Sequence, residues 1–258
     1  MHLTVLVPVY NERARLKEVF QHLFTSPCPI ARQWIVINDH STDGSTDILR
    51  ELKSQYGFEL IEQPENRGKG AAIIAGLKAA TGTFVMVQDA DFEYDPTDVP
   101  RLLEPLIAGS ADAVYGSRFK QSGSQVHRTF HYFGNRFLTA MSNIFSGIYL
   151  TDMETCYKLF RRDLVQAMNL RSARFGIEIE FTAYLAKTSA RIFELPAHYY
   201  PRTRLQGKKI GVKDGIAALF HLLRFNLFTS LSEAFSDLPH AYSPDRYRMP
   251  FTAAPCPQ

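Results

Sequence analysis

The stretch "TFVMVQDADFE", residues 83–93, joins a continuous apolar run to a cluster of acidic side chains. An uninterrupted run of Phe, Val and Met over so few residues predicts a strand that is covered on both faces. Asp89, Asp91 and Glu93 follow this strand directly. The two aspartates are two residues apart, so in an extended segment both side chains point to the same side.

Similar short apolar runs occur before and after this stretch and alternate with helical patterns. We predict strands at 3–9, 33–38, 58–63, 83–88 and 111–116. Val- and Ile-rich runs separated by helices are typical of a mostly parallel sheet with right-handed crossovers. The sequence therefore predicts an α/β, Rossmann-like domain that binds ligands at the carboxyl ends of its strands.

The second half of the chain is less regular. It predicts helices at about 130–147, 177–187 and 211–228, and strands at 157–161 and 191–197. A length of 258 residues fits one large domain with an appendage. We therefore expect one domain over 1–210, a C-terminal amphipathic helix over 211–233 and a flexible, proline-containing tail over 234–258.

Composition and charge exclude several classes of protein. Hydrophobic residues make up 45% and charged residues 21% of the chain, as is usual for a soluble globular protein. A net charge of +3 is too small to indicate a nucleic-acid partner. Cys28, Cys156 and Cys256 have no metal-ligand spacing, which favours a reducing compartment. With no signal-peptide pattern and no apolar run of ~18 residues, we expect a cytoplasmic location without a membrane span.

The acidic cluster has two interpretations. Paired carboxylates suit Mg²⁺ or Mn²⁺, which usually shares a substrate phosphate. Alternatively, the cluster caps the next helix, with Asp95, Pro96 and Asp98 at its first positions. Capping explains residues 95–98 but leaves Asp89 and Asp91 unassigned.

A glycine-rich turn, "NRGKGAA" at residues 66–72, stands between a predicted strand and a predicted helix. Backbone N–H groups and Lys69 could bind a diphosphate there, although a simple glycine turn has the same pattern. The turn does not match GxxxxGK[ST], and its third glycine comes at Gly76 rather than at position 73. This argues against a P-loop nucleoside-triphosphatase and against a dinucleotide dehydrogenase.

Taken together, these loops resemble a known family. The segments are "VPVYNE", "VINDHSTDGSTDIL", "ENRGKGAA", "VQDADFEYDP" and "VYGSR". In this order and spacing they resemble the family 2 glycosyltransferases of the GT-A fold, and most of all the branch with dolichol-phosphate mannose synthases and other polyprenyl-phosphate sugar transferases. The resemblance extends from about residue 3 to residue 210.

The resemblance implies a nucleotide-sugar donor, with UDP or GDP, and a divalent metal ion, Mg²⁺ or Mn²⁺. It implies that Asp91 ligates the metal and that Asp89 places the donor ribose, the metal or the sugar. Glu93 stands where the mannose synthases tend to have glutamine, and we count it as a third metal-ligand candidate. Asp39 would read the nucleobase. The implied donor-binding residues are Pro8, Tyr10, Asn11, Glu12, Asp39, Gly68, Lys69, Asp89, Ala90 and Asp91.

The acceptor decides the chemistry. A hydroxyl acceptor needs a general base, whereas a phosphate monoester, with a second pKa near ~6, is already largely ionised at neutral pH and needs cations. Arginine forks match phosphate oxygens, although isolated basic residues are more often simply solvated. The candidate acceptor-binding residues are Arg118, Arg128, Arg136, Glu178, Arg202 and Lys209.

A few acidic residues are candidates for a base. Asp152, in "TDMETCYK", is similar to an aspartate-containing segment of the family. Glu178 and Glu180 point to different faces of a predicted helix, so at most one of them faces the site. We interpret Asp152 and Glu178 chiefly as residues of the site wall. The candidate catalytic residues are Asp89, Asp91, Arg118 and Asp152.

The helix predicted from residue 211 has an apolar face. Its members are Val212, Ile216, Leu219, Phe220, Leu223 and Leu227. Such a face usually packs on its own domain, but its aromatic residues and the preceding "GKK" also suit an interfacial helix. We expect peripheral contact with the cytoplasmic face of a membrane.

Three functions stay open from the sequence. The first is transfer of a sugar to a polyprenyl phosphate, and the second is transfer to a hydroxyl of a glycolipid or glycan. The third is a non-catalytic module that binds a nucleotide sugar. Neither the sugar nor the oligomeric state can be inferred from these residues.

Overall fold

A seven-stranded sheet forms the centre of the molecule. The computed structural model describes residues 1–120, 129–174, 176–201 and 212–244. The strands are β1 (His2–Val9), β2 (Ala31–Asn38), β3 (Glu59–Glu62), β4 (Phe84–Val87), β5 (Ala113–Ser117), β6 (Lys158–Arg161) and β7 (Ile192–Pro196). Their order in the sheet is β3-β2-β1-β4-β6-β5-β7. Every pairing is parallel except those that β6 makes with β4 and β5.

Helices connect the strands and cover the sheet. They are α1 (Leu16–Thr25), α2 (Ser45–Tyr56), α3 (Lys69–Ala79), α4 (Val99–Ile107), α5 (Thr129–Ser146), α6 (Arg162–Gln166), α7 (Ile177–Leu185), α8 (Val212–Leu227) and α9 (Leu231–Ala234). In α1 the buried residues are Leu16, Val19, Phe20 and Leu23. This spacing of three and four residues puts one apolar stripe against the core.

The structure confirms the predicted α/β domain with a mostly parallel sheet. The strand β6 was predicted at 157–161, but its antiparallel direction is the main feature that the sequence did not predict. In its register, Leu159 pairs with Met86 and Lys158 pairs with Tyr115. The beginning of β6 therefore lies beside the carboxyl ends of β4 and β5. The loop before β6, residues 152–157, consequently reaches the edge of the sheet where ligands are expected.

The C-terminal part of the described chain packs on the domain. Leu222 and Phe225 of α8 are buried, and α8 packs against α5 and α7. Phe235 and Tyr242 are also buried, and the Tyr242 hydroxyl donates to an Asp163 oxygen at 3.1 Å. Residues 234–244 therefore differ from the flexible tail that we expected from residue 234, because they cover apolar surface. The rest of that predicted tail, 245–258, lies outside the described residues.

Within the described ranges, no helix is both long enough and apolar enough to cross a membrane. The opposite side of α8 nevertheless exposes apolar groups. Phe220 is 63% exposed and Phe228, just beyond the helix, is 77% exposed. Whether this surface is interfacial, as the sequence predicted, stays a prediction.

Candidate active site

Five loops meet at one edge of the sheet. Four of them follow β1, β2, β4 and β5, and the fifth precedes β6. Because β6 is antiparallel to its neighbours, its preceding loop meets loops that follow parallel strands. The turn before α3 completes the group, since the Gly68 amide donates to Asp39 at the end of β2. This convergence of polar loops is the candidate active site.

The acidic residues after β4 have different roles in the structure. Asp95 caps the following turn, because its carboxylate accepts from the Thr97 amide at 2.9 Å and from the Thr97 hydroxyl at 2.7 Å. Asp98 is buried and accepts from the backbone and ring nitrogens of His198 at 2.6 and 2.9 Å. The capping interpretation is thus confirmed for Asp95. Asp89 instead lies 2.8 Å from Lys69 Nζ, and Asp91 Oδ1 accepts from the Glu93 amide at 2.9 Å.

Lys69, at the start of α3, lies between two carboxylates. Its Nζ is 2.8 Å from Asp89 Oδ1 and 3.0 Å from Glu178 Oε1. Burial opposes the charge on this ammonium group, but Asp89 and Glu178 hold the pKa of Lys69 well above its usual value. Lys69 is therefore a permanently charged cation beside the first aspartate of the DAD motif.

Glu178 has a second, unused acceptor. It is only 6% exposed, and its Oε2 atom is buried without a hydrogen-bond partner among the described residues. Glu180, in contrast, accepts from the amides of Arg171 and Ser172 at 2.8 Å and holds the loop before α7. That at most one of these two glutamates faces the site stays a prediction.

Asp39 organises the glycine turn. Its carboxylate accepts from the Arg67 and Gly68 amides at 2.9 and 2.8 Å and from the Gln63 side chain at 3.0 Å. Gly68 has φ of +94°, and a Cβ on it would lie 2.6 Å from the Ala173 carbonyl oxygen. A side chain is excluded there by both conformation and space. The Gly68 amide, one of the turn amides that the sequence suggested for a diphosphate, is thus used within the chain.

The loop after β1 is fastened to the loop after β2. The Thr42 amide donates to the Asn11 side chain at 2.8 Å, and the Glu12 amide donates to the Ser45 hydroxyl at 3.1 Å. Asn11 has a positive φ of 52°, which asparagine tolerates better than most residues. Pro8 lies at the end of β1, and the Tyr10 side chain beyond it is exposed. The loop after β1, which was predicted to bind the donor, is therefore held in place by the loop after β2 and exposes the Tyr10 ring.

Arg118 and Asp152 form a buried ion pair. Arg118 Nε and Nη2 donate to the two Asp152 oxygens at 2.7 and 2.6 Å, and the Arg118 amide donates to Oδ2 at 2.9 Å. Asp152 is fully buried. Burial opposes the charge of Arg118, but Asp152 raises the pKa of its guanidinium well above the usual value. A buried carboxylate whose two oxygens both accept from Arg118 is poorly suited to be a general base. The ion pair instead joins the end of β5 to the loop before β6.

The loop before β6 and the first residue of β6 add two titratable residues that sequence reasoning missed. Lys158 is buried, and its Nζ donates to the carbonyl oxygens of Met153 and Thr155. Burial lowers the pKa of Lys158 to about 8, whereas burial and then Glu178 raise the pKa of Glu154 to about 7. Glu154 Oε1 is buried with no hydrogen-bond partner in the described chain. The signal in the sequence was Glu154 itself, an acidic residue of "TDMETCYK" to which no role had been assigned.

The acceptor candidates are placed only in part. Arg136 is exposed on α5, where it donates to the Thr151 carbonyl oxygen at 3.3 Å and lies over the Phe119 ring at 5.8 Å. Arg128, Arg202 and Lys209 lie outside the described residues. Their predicted contact with an acceptor stays a prediction.

Comparison with known proteins identifies the family. The family model for glycosyl transferase family 2 matches residues 4–168. This is more than half of the chain, and the protein belongs to that family.

Curated relatives agree with this assignment. A dolichol-phosphate mannosyltransferase of Pyrococcus furiosus is 27% identical over 231 residues, which cover 87% of this chain and 63% of the relative. An undecaprenyl-phosphate 4-deoxy-4-formamido-L-arabinose transferase of Aeromonas hydrophila is 29% identical, with 64% of this chain and 51% of the relative covered. The chain thus spans between half and two thirds of the length of these two relatives.

A solved structure shows the same fold. Glucosyl-3-phosphoglycerate synthase from Mycobacterium tuberculosis, in complex with Mn²⁺, uridine diphosphate and phosphoglyceric acid, superposes with a TM-score of 0.64. The sequences are 18% identical, and the match covers 88% of this chain and 78% of that chain. At this identity the similarity supports the fold alone.

Proposed function

We propose that this protein transfers a sugar from a UDP- or GDP-sugar to the phosphate of a polyprenyl lipid, with inversion at the anomeric carbon. Family membership and the names of the two curated relatives support this proposal. The observation that carries it is the position of Asp89 and Asp91 at the end of β4, with Lys69 2.8 Å from Asp89. Carboxylates and a partly buried cation at this edge suit a nucleoside diphosphate and its metal.

The proposed metal ligands are Asp89 and Asp91. Two carboxylates two residues apart fit Mg²⁺ or Mn²⁺, which take their other ligands from water and substrate phosphate. A bound ion would stabilise the negative charge that develops on the departing nucleoside diphosphate. The related synthase that was crystallised with Mn²⁺ and uridine diphosphate supports the choice of ion. Lys69 adds a fixed positive charge at the same place.

The proposed acceptor side depends on cations. A phosphate acceptor is already a nucleophile near neutral pH, which agrees with the engagement of Asp152 by Arg118. We assign phosphate binding to the exposed Arg136 and, outside the described residues, to Arg128, Arg202 and Lys209. Arg118 is assigned a supporting role instead, because its guanidinium is buried against Asp152.

The proposed membrane contact rests on exposed apolar side chains of two adjacent helices. They include Phe133, Phe137 and Ile144 of α5, and Phe220, Leu223, Leu227 and Phe228 in or next to α8. Since α5 packs against α8, these residues belong to neighbouring surfaces. Aromatic and aliphatic side chains exposed on a helix are typical of an interfacial helix. We place this surface against the cytoplasmic face of a membrane.

The reaction is tested with a panel of UDP- and GDP-sugars, Mn²⁺ or Mg²⁺, and a short-chain polyprenyl phosphate. Release of nucleoside diphosphate should depend on both the metal and the lipid phosphate. Wild-type protein that gives no release above hydrolysis with any donor would contradict the proposal. It would favour a non-catalytic nucleotide-sugar-binding module instead.

Membrane contact is tested separately by flotation with anionic liposomes. Phe220→Ser together with Phe228→Ser should reduce flotation, because both rings are mostly exposed. Phe193→Ser on β7, where the ring is 40% exposed, is the matched control. If wild-type protein stays at the bottom of the gradient, the proposed membrane contact is wrong, whereas the proposed reaction is unaffected.

A hydroxyl acceptor is the second candidate, and one observation favours it. The pKa of Glu154 is raised to about 7, which suits a general base at neutral pH. If Glu154 is the base, Glu154→Gln should lower kcat by about 10²- to 10⁴-fold. With a phosphate acceptor, the same variant should keep a kcat near that of the wild type.

A further inference from the structure

A surface pocket lies between the end of α8 and the loop before α7, and it has a volume of about 450 Å³. The residues that line it are Arg171, Phe220, Leu223, Arg224, Phe228 and Thr229. Three of them expose apolar side chains, since Phe220 is 63%, Leu223 41% and Phe228 77% exposed. The pocket therefore combines an apolar wall with two arginines, and the membrane contact proposed above uses only the apolar residues.

Arg171 is held in place at both its backbone and its side chain. Its amide donates to Glu180 Oε1 at 2.8 Å, and its Nη2 atom donates to the Glu233 carbonyl oxygen at 3.2 Å. The first bond fixes the backbone, and the second directs the exposed guanidinium. Because a carbonyl oxygen has no net charge and a guanidinium has five N–H donors, Arg171 keeps its charge and several donors for a ligand.

Arg224 supplies the second cation, on the exposed side of α8. Its Cζ atom lies 5.4 Å from the centre of the Phe225 ring. The Phe228 amide and the Thr229 hydroxyl donate to the Arg224 carbonyl oxygen at 3.1 and 3.0 Å, so contacts within the chain occupy this oxygen at the end of α8. In the part of the chain that the structure describes, neither Arg171 nor Arg224 forms an ion pair with a carboxylate.

The neighbouring titratable groups leave part of this positive charge uncompensated. Burial, and then the charge of Arg224, lower the pKa of His221 below its usual value, so this histidine is neutral at pH 7. Hydrogen bonds from Ser230, and to a smaller degree the charge of Arg171, lower the pKa of Glu233, which is therefore ionised. Its carboxylate accepts from the Ser230 amide at 2.8 Å and caps α9. One exposed carboxylate near two arginines leaves a net positive charge, which favours an anionic ligand.

Two glutamates of α7 separate the pocket from the proposed donor site. Glu178 Oε1 lies 3.0 Å from Lys69 Nζ, whereas Glu180 accepts from the Arg171 amide. Side chains two residues apart on a helix do not face each other. A ligand bound at Arg171 would therefore lie outside the candidate active site and away from the acidic motif after β4.

We propose that this pocket binds the head group of an anionic phospholipid, with Arg171 and Arg224 on its phosphate and the three exposed apolar side chains against its acyl chains. A planar guanidinium matches two phosphate oxygens at once. An interfacial helix gains affinity both from buried apolar surface and from attraction to anionic lipid. The inference rests on the proposed membrane contact and names its partner, which is a leaflet that contains anionic phospholipid.

Flotation of the full chain tests the site, with vesicles of phosphatidylcholine alone and of phosphatidylcholine mixed with phosphatidylglycerol. Wild-type protein should partition more strongly onto the mixed vesicles. Arg171→Ala and Arg224→Ala should each lower that partition coefficient about fivefold, the effect expected from one basic residue near an anionic surface. On phosphatidylcholine alone both variants should equal the wild type. Equal partitioning of wild-type protein onto the two kinds of vesicle would overturn the inference.

The matched control is Arg15→Ala, which removes an exposed arginine before α1 whose side chain makes no cap hydrogen bond. It changes the net charge by the same amount and should have little effect on flotation. Arg171→Lys together with Arg224→Lys keeps both charges but loses the planar fork, so this double variant should bind the mixed vesicles about fivefold more weakly than the wild type. Wild-type binding by the lysine variant, or an equal loss in Arg15→Ala, would indicate diffuse electrostatic attraction and overturn the inference.

A soluble lipid separates this inference from the proposed membrane contact. Dihexanoyl phosphatidylglycerol, kept below its critical micelle concentration, is titrated calorimetrically into wild-type protein and into the double variant Arg171→Ala with Arg224→Ala. The wild type should bind this lipid and the double variant should not. If that difference is found in a protein that floats with no vesicle, the pocket is supported and only the membrane contact is wrong. No difference between the two proteins would overturn the inference even if the wild type floats.

Other occupants of the pocket would give different results. If the pocket held the acceptor, the KM for a short-chain polyprenyl phosphate would rise in Arg171→Ala and Arg224→Ala, whereas we expect it to stay at the wild-type value. If a second copy of the chain covered the pocket, lipid-free wild-type protein would self-associate in light scattering and Arg224→Ala would not. Either result would overturn the inference.

Discussion

The two sides of the site are built in different ways. On the proposed donor side, the loops after β1, β2 and β3 hold one another through backbone amides and small polar side chains, as Asp39 and Asn11 show. On the other side, the loop before β6 is held by the buried Arg118–Asp152 pair, and nearby helices expose aromatic rings. The difference shows that the first side is built from loops that follow successive parallel strands. The second side depends on an antiparallel strand and on a buried ion pair.

The largest effect should come from breaking the buried pair. Arg118→Ala leaves the fully buried Asp152 carboxylate without its bidentate partner. We expect a loss of about 3–5 kcal/mol in the free energy of unfolding, measured by urea denaturation. Arg50→Ala, which breaks an exposed pair with Glu62 on the donor side, should have a far smaller effect. Equal losses in the two variants would mean that the two sides do not differ in this respect.

The next effect concerns the donor side and should appear in binding rather than in stability. Asp91→Ala should weaken metal-dependent binding of UDP or GDP at least ~100-fold, or about 2.7 kcal/mol, because a proposed charged ligand of the ion is lost. Calorimetry with and without Mn²⁺ measures this. The control is Asp47→Ala, an exposed aspartate on α2. If Asp91→Ala still binds the nucleotide with full metal dependence, the proposal that Asp91 is a metal ligand is wrong.

A third prediction uses pH to compare the sides. Glu154 has a pKa near 7 in the folded protein and an ordinary value of 4.5. Between about pH 4.5 and 7 the unfolded chain releases this proton and the folded chain keeps it, so this group lowers stability as pH rises. Relative to wild type, Glu154→Gln should gain about 1–3 kcal/mol of unfolding free energy from pH 5 to pH 7.

Urea denaturation at the two pH values measures that difference. Glu104→Gln, at an exposed position on α4, is the control and should shift little relative to wild type. If Glu154→Gln and wild type differ by the same amount at pH 5 and pH 7, the raised pKa of Glu154 is wrong.

The smallest effect should come from the cap after the DAD motif. Asp95→Ala removes the acceptor for the Thr97 amide and hydroxyl, which should cost about 1 kcal/mol of stability. Asp95→Asn keeps a capping oxygen and should be close to wild type in thermal denaturation. Nucleotide binding should be the same in both variants. A loss of Mn²⁺ binding in Asp95→Ala would contradict a purely capping role for Asp95.

The donor side could be predicted well because its signals are local. Each apolar run ends in a polar loop, so the strands and the positions of Asp89 and Asp91 could be read without knowledge of distant contacts. Asp95 was predicted as a cap for the same reason. The sequence did not predict that Asp39 would bond to the Arg67 and Gly68 amides, because those atoms are about 28 residues away.

The other side could not be predicted to the same depth. Arg118 was expected to face a phosphate and Asp152 to line the site, but the fold brings these two residues, 34 positions apart in the sequence, together as a buried pair. Lys69 and Glu178 meet across the site in the same way. Glu154 and Lys158 gained importance only because β6 inserts between β4 and β5.

By itself, the sequence determined the α/β architecture, the loop-bearing edge of the sheet and the acidic motif at its centre. These follow from hydrophobic periodicity and strand-end chemistry, which act over a few residues. Only the tertiary structure decided the direction of β6, the pairing of Arg118 with Asp152 and the contact of Tyr199 with Glu93. Those features depend on contacts between distant segments of the chain. Burial at these contacts sets the strength of the hydrogen bonds and of the interactions between charges.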